Sequence, residues 1–150
     1  EQFRTTLYRQ TMFAEFELRI NQLSEQGETL TAEVLNSLYQ KLNQDYYGDG
    51  VVLDSEIASE WARIPHFFYN FYVFQYATGF SAAIAIAMRI LKEGEPAVKD
   101  YLQFLSSGSS LDPIGLLNIA KVDMSDTKPI DAALSLFDGL ITQLEELLSA

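Results

Sequence analysis

The stretch Ile64–Gly79, IPHFFYNFYVFQYATG, holds the only histidine of the chain and sets eight aromatic rings, the imidazole included, around one asparagine and one glutamine. Between Arg63 and Arg89 no side chain carries a formal charge at neutral pH, and a run of that length meets the criterion of about 20 residues for a membrane span. His66, Asn70, Gln75, Thr78 and Ser81 are scattered through it and no basic flank marks an orientation, so a buried helix of a soluble protein is the preferred reading. The spacing predicts a long helix from Pro65 to the region of Lys92-Glu93-Gly94, with proline at its first turn and glycine at its end. A helix apolar on most sides needs cover on most sides, which suits the centre of a large protein. Within it His66, Tyr69, Tyr72 and Tyr76 follow one another by three, three and four residues, a drifting stripe over roughly three turns. Such a stripe reads either as amphipathic packing in which each hydroxyl finds a partner, or as polar tips that converge on a ligand.

The flanking segments are also helical in pattern. Phe3, Leu7, Met12, Phe13, Phe16, Leu18, Ile20 and Leu23 recur at mostly helical spacing up to a stop at Gln26-Gly27. Thr31 can cap a second helix through Leu42, which Asp-Tyr-Tyr-Gly-Asp-Gly then breaks. A short turn over Ser55–Arg63 leads into Pro65, and helices are expected over Ala97–Leu105, Ile114–Ala120 and Ile130–Leu148, each with a proline near its first turn. No segment alternates as a strand and nothing repeats at a fixed period, so the expected fold is an all-α array of about six or seven helices.

With 150 residues, 48% of them hydrophobic, the chain suits one compact domain with one core. Acidic residues outnumber basic ones 21 to 10, giving a formal charge of −11. Nucleic acid and an anionic bilayer are therefore not expected partners, since both demand clustered Lys and Arg. Without cysteine there is no disulfide and no thiolate metal site, which favours the cytoplasm. The chain opens Glu-Gln-Phe-Arg, with neither an initiator Met nor a basic-then-apolar leader, and is expected to be a piece of a longer protein.

Several chemistries are missing from this sequence. One histidine excludes an H-E-x-x-H helix or a polyhistidine site, so no metal ligand is assigned. Asn43–Asp54 has a calcium-loop outline, but Tyr47 stands at the fifth position and Asp54 at the twelfth, and it reads as a helix stop. There is no G-x-S-x-G elbow, P-loop or dinucleotide fingerprint. Glu15 and Glu17 lie two apart, too far round a helix to share a face, and Glu145-Glu146 reads as a solvated surface; all four are taken as structural.

From Trp61 to Gly79 the chain resembles the oligoendopeptidase F family, relatives of the thimet-oligopeptidase-type zinc metallopeptidases. The likeness extends in order to RQTMFAEFE at Arg9–Glu17, to DYYG at Asp45–Gly48 and to YLQFLSSGS at Tyr101–Ser109, so nearly the whole chain is covered. The resemblance implies a large helical enzyme that cleaves oligopeptides and holds one zinc ion through H-E-x-x-H and a further Glu. Those residues precede the similar region in the family and are absent here. Residues 1–150 are thus expected to form a single all-α fragment, the C-terminal part of the catalytic domain, inactive alone and partnered by the N-terminal remainder of the same enzyme. The resemblance also implies that His66 and Tyr72 are catalytic, stabilising the oxyanion formed at the substrate carbonyl, and that His66, Tyr69, Tyr72 and Tyr76 bind substrate. The competing reading is a non-catalytic all-α binding or oligomerisation domain, with a homo-oligomer contact through exposed apolar surface.

Overall fold

The computed structural model describes residues 1–149, and every regular element among them is helical. A π-helical segment, Phe3–Tyr8, runs into α1, Arg9–Glu25, and α2 spans Ala32–Tyr47. Two 3-10 segments follow, Ser55–Arg63 and Pro65–Phe68, and then α3, Phe74–Glu93, α4, Glu95–Ser106, α5, Pro113–Ile119, and α6, Lys128–Ser149. The chain divides into two compact units, Glu1–Ala77 and Thr78–Ala150.

The helix ends follow from local chemistry. After α1, Gly27 takes φ +84°, its N–H bonds the Ser24 carbonyl, and the Glu28 N–H bonds the Leu23 carbonyl. This is the paired bonding by which a left-handed glycine closes a helix. The Thr31 hydroxyl accepts the Val34 N–H and starts α2. That helix runs five residues beyond the expected Leu42 and stops at Gly48, with φ +67°. Asn43 is buried and spends its amide on the Tyr39 carbonyl, so the stretch with the calcium-loop outline is a helix and its stop.

The first unit is built on aromatic packing. Met12, Phe13 and Phe16 of α1 meet Tyr39 and Leu42 of α2, and Ile64 and Val73 complete the cluster. Phe67 inserts its ring beside Phe13 and Phe16, with centroids 5.3 and 5.1 Å away. These spacings suit tilted and edge-to-face ring contacts. Trp61 packs against the same cluster and donates its indole N–H to Asn36 Oδ1 at 2.7 Å.

The expected continuous helix from Pro65 does not form. A 3-10 turn over Pro65–Phe68 gives way at Tyr69, and Asn70 and Phe71 both take left-handed φ, +43° and +54°. Core packing explains the reversal. Phe67 and Val73 both enter the aromatic core, yet on a continuous helix they would project about 120° apart. The Phe71 N–H, which a continuous helix would direct to the Phe67 carbonyl, donates instead to Glu17 Oε1 at 2.6 Å. Regular helix resumes only at Phe74.

In the second unit Ala82 and Ile86 of α3 pack with Ala120 and Val122, with Tyr101, Phe104 and Leu117 around them. Arg89 ties three elements together, donating to the Ala120 carbonyl at 2.9 Å and pairing with Glu93 and Asp100. The Asp112 carboxylate accepts the Gly115 N–H at 3.0 Å and caps α5. Asp112→Ala should cost about 1 kcal/mol in urea unfolding and Asp112→Asn much less, because Asn caps nearly as well. α3 is long and apolar enough for a membrane crossing by length and composition, but the expected burial is not met within this chain: only 17% of its apolar window is covered. Leu91 on α3, Leu105 on α4, and Leu147 and Leu148 on α6 are likewise exposed.

Candidate functional site

His66, Tyr69, Tyr72 and Tyr76 come together, but by chain reversal and not as a stripe on one helix. His66 sits in the 3-10 turn, Tyr69 ends that turn, Tyr72 follows the two left-handed residues, and Tyr76 lies in the first turn of α3. The alternation of anchors sets their direction. Ile64 and Val73 are buried and Phe67 packs on the core, while Tyr69 and Tyr72 are 60% and 39% exposed. The hydroxyl-bearing rings therefore face away from the packed interior.

The imidazole is the hub of the cluster. Tyr72 stacks on it, with centroids 5.9 Å apart and planes 15° from parallel, and Tyr69 and Tyr76 meet it edge-on at 6.0 and 5.8 Å. Tyr72 and Tyr76 in turn meet edge-on at 5.5 Å. The Tyr76 hydroxyl and His66 Nε2 lie 3.3 Å apart, a hydrogen-bonded pair whose direction follows the ring tautomer. The Tyr72 hydroxyl, hydrogen-bonded to that of Tyr76, is the main cause that raises the Tyr76 phenol above its ordinary value, with burial adding to it. Tyr76 is thus kept as a neutral O–H. Three phenol groups and one imidazole can present donors to a carbonyl oxygen, and an aromatic surface to a peptide.

One residue that touches the cluster's backbone escapes the sequence reading. Glu17 faces the core at 3% exposed, and its carboxylate holds the Phe71 N–H immediately before Tyr72. Burial raises its pKa and the Phe71 hydrogen bond opposes that rise. The signal was available: Met12, Phe13, Phe16 and Glu17 fall on one inward stripe of α1, which places a carboxylate among core positions. Glu15, on another face, pairs with Arg19 and accepts the Tyr46 hydroxyl.

The residues present do not fit a zinc site. The sequence has one histidine and no cysteine, and no group of three His, Cys, Asp or Glu side chains converges among the described residues. A zinc site takes three or four protein ligands, so the chain dialysed against buffer should retain far less than one zinc atom per molecule by elemental analysis. Tight one-to-one zinc that survives a weak chelator would reverse that conclusion.

Residues 1–136 match peptidase family M3. Over 148 residues the chain is 55% identical to Oligopeptidase PepF of Bacillus subtilis (strain 168), covering 99% of this chain and 22% of that protein. It is 48% identical over 147 residues to the plasmid-encoded Oligoendopeptidase F of Lactococcus lactis subsp. cremoris, covering 98% of this chain and 24% of the relative. The crystal structure of oligoendopeptidase-F from Enterococcus faecium superimposes with a TM-score of 0.95 at 48% identity, over 98% of this chain and 28% of that one. The chain spans about a quarter of the length of these relatives. With a family match that runs through the RQTMFAEFE, DYYG and His-and-Tyr segments and a helical fold shared with a solved oligoendopeptidase, the chain belongs to peptidase family M3.

Proposed function

We propose that this chain is the C-terminal section of a longer cytoplasmic oligopeptidase, and that its His66–Tyr76 segment binds the peptide and stabilises the oxyanion formed during cleavage. The observation that carries this reading is the convergence of four polar aromatic side chains on the outer side of a packed core. Attack on a peptide carbonyl turns a neutral oxygen into an anion, and donors already fixed where that charge develops lower the barrier without reorganising. Tyr72 and His66 supply those donors, and Tyr69 and Tyr76 flank the substrate chain. The metal implied by the family supplies Lewis-acid chemistry from residues outside this chain. The large apolar side chains exposed on α3, α4 and α6 support cover by the remainder of the same enzyme, since monomers rarely expose broad apolar surface.

A tetrahedral phosphinate analogue of a peptide tests the assignment in the full-length enzyme. Because such an analogue bears the charge and shape of the transition state, Tyr72→Phe should weaken its inhibition about tenfold or more while the KM of the matching substrate shifts little. Equal weakening of analogue and substrate would reduce the segment to general substrate contact.

A further inference from the structure

We infer that Glu17 is a positioning residue for the His66–Tyr72 cluster, acting through the backbone N–H of Phe71; the catalytic part of this inference rests on the reading of Tyr72 as an oxyanion donor. Three observations meet at this contact. Asn70 and Phe71 are consecutive non-glycine residues with left-handed φ, a conformation that L-residues adopt at a cost and keep only when their surroundings hold it. Glu17 Oε1 accepts the Phe71 N–H at 2.6 Å from a helix 54 residues away in sequence. Glu17 is itself locked, with Phe13 and Phe16 beside it in the buried face of α1.

The next side chain after that N–H is Tyr72, stacked on His66. Val73 fixes the far end of the reversal in the core and Phe67 the near end. Between those anchors the Tyr72 carbonyl accepts the Gln75 N–H of α3 at 3.3 Å, while the Glu17 contact ties the Phe71 N–H, on the near side of Tyr72, to α1. Releasing it frees the peptide plane between Asn70 and Phe71 to leave the left-handed region. Tyr72 would then swing off the imidazole although every ring of the cluster is still present. A misplacement of about 1 Å at a donor is enough to cost on the order of a hundredfold in rate. Glu17 thus shapes the site without touching substrate.

The test uses the full-length enzyme with Glu17→Gln, Glu17→Leu, Tyr72→Phe and the double variant Glu17→Leu/Tyr72→Phe. The amide oxygen of glutamine can accept the same N–H, whereas leucine fills the space and accepts nothing. In Glu17→Leu, hydrogen exchange at the Phe71 amide should quicken about tenfold to a hundredfold, the range expected when a charge-assisted bond is lost. Its kcat should fall about tenfold or more with KM little changed, and Glu17→Gln should stay within about threefold of wild type. Adding Glu17→Leu to Tyr72→Phe should lower kcat little further, because two residues that act through one donor are not additive. Unchanged exchange at Phe71 in Glu17→Leu overturns the inference, and so does a kcat loss that is undiminished when Tyr72 is already Phe. A wild-type kcat in Tyr72→Phe refutes the donor reading alone, and the exchange at Phe71 then still decides whether Glu17 holds the turn.

Discussion

Replacing Tyr72 with Phe in the full-length enzyme should lower kcat by roughly 10–1,000-fold while KM moves far less, and His66→Ala should do the same. Tyr72→Phe removes one oxygen and keeps the ring, so the stacking on His66 at 5.9 Å survives the change. The hydroxyl is not a pillar of the core, because Tyr72 is 39% exposed and its neighbours Phe67 and Val73 carry the packing. Loss of activity without loss of thermal stability therefore isolates the donor. A structural role predicts the reverse pattern, a stability cost of about 1–3 kcal/mol from a stranded partner with turnover of the folded protein unchanged. Wild-type turnover by Tyr72→Phe would return the cluster to simple packing.

His66→Ala is the less specific of the two variants. Its ring is the hub against which all three tyrosines pack, so its removal also loosens Tyr72 and Tyr76. The comparison of the two variants separates a lost donor from a lost platform: if His66→Ala costs much more than Tyr72→Phe, the imidazole holds the phenols in place beyond its own hydrogen bond. Zinc content should be the same in both variants, because neither residue belongs to a set of ligands that fits the ion.

The helical class was legible because apolar periodicity and capping chemistry agree along the chain. Gly27, Thr31 and Asp112 stop or start helices as their side chains and backbone freedom dictate. The reversal at Asn70-Phe71 was hidden because Ile64–Gly79 contains no glycine or proline between Pro65 and Gly79 to announce it. Its causes are distant: two core anchors that a straight helix could not both satisfy, and a carboxylate on α1. Helical spacing grouped His66 and the tyrosines, and the four rings do meet, but through the reversal and not along one helix. Glu17 was passed over on the ground that Glu15 and Glu17 share no face, which is true; the buried face belongs to Glu17 alone.

Glu60→Ala should cost about 3 kcal/mol of stability, an effect carried by one polar network at the edge of the first unit's core. Glu60 Oε1 pairs with Arg9 at 2.6 Å and Oε2 accepts the Tyr39 hydroxyl at 2.7 Å, and Arg63 also bonds this carboxylate. Its side chain is 8% exposed, so alanine would strand a guanidinium and a buried phenol together, which is why the cost approaches that of breaking a buried pair. Arg9 keeps some solvent and its place over the Phe13 ring at 4.6 Å, which holds the figure near the lower end. In urea the unfolding midpoint, followed by the single tryptophan beside Glu60, should fall by about 1–2 M. The pH dependence supplies the second half of the test. Burial pushes the Glu60 carboxyl up, but the Tyr39 hydroxyl and the Arg9 guanidinium outweigh it and hold the group below its ordinary value. A carboxylate with a depressed folded pKa contributes fully above its unfolded value of about 4.3 and loses that contribution as pH falls through the folded value. The Tyr39 phenol, raised by burial and then by the Glu60 hydrogen bond, stays protonated throughout that window. The gap between wild type and Glu60→Ala should therefore be full at pH 7 and shrink below about pH 4. A gap that is the same at pH 3 and pH 7 would mean that the lost stability came from packing at Glu60 and not from its charge.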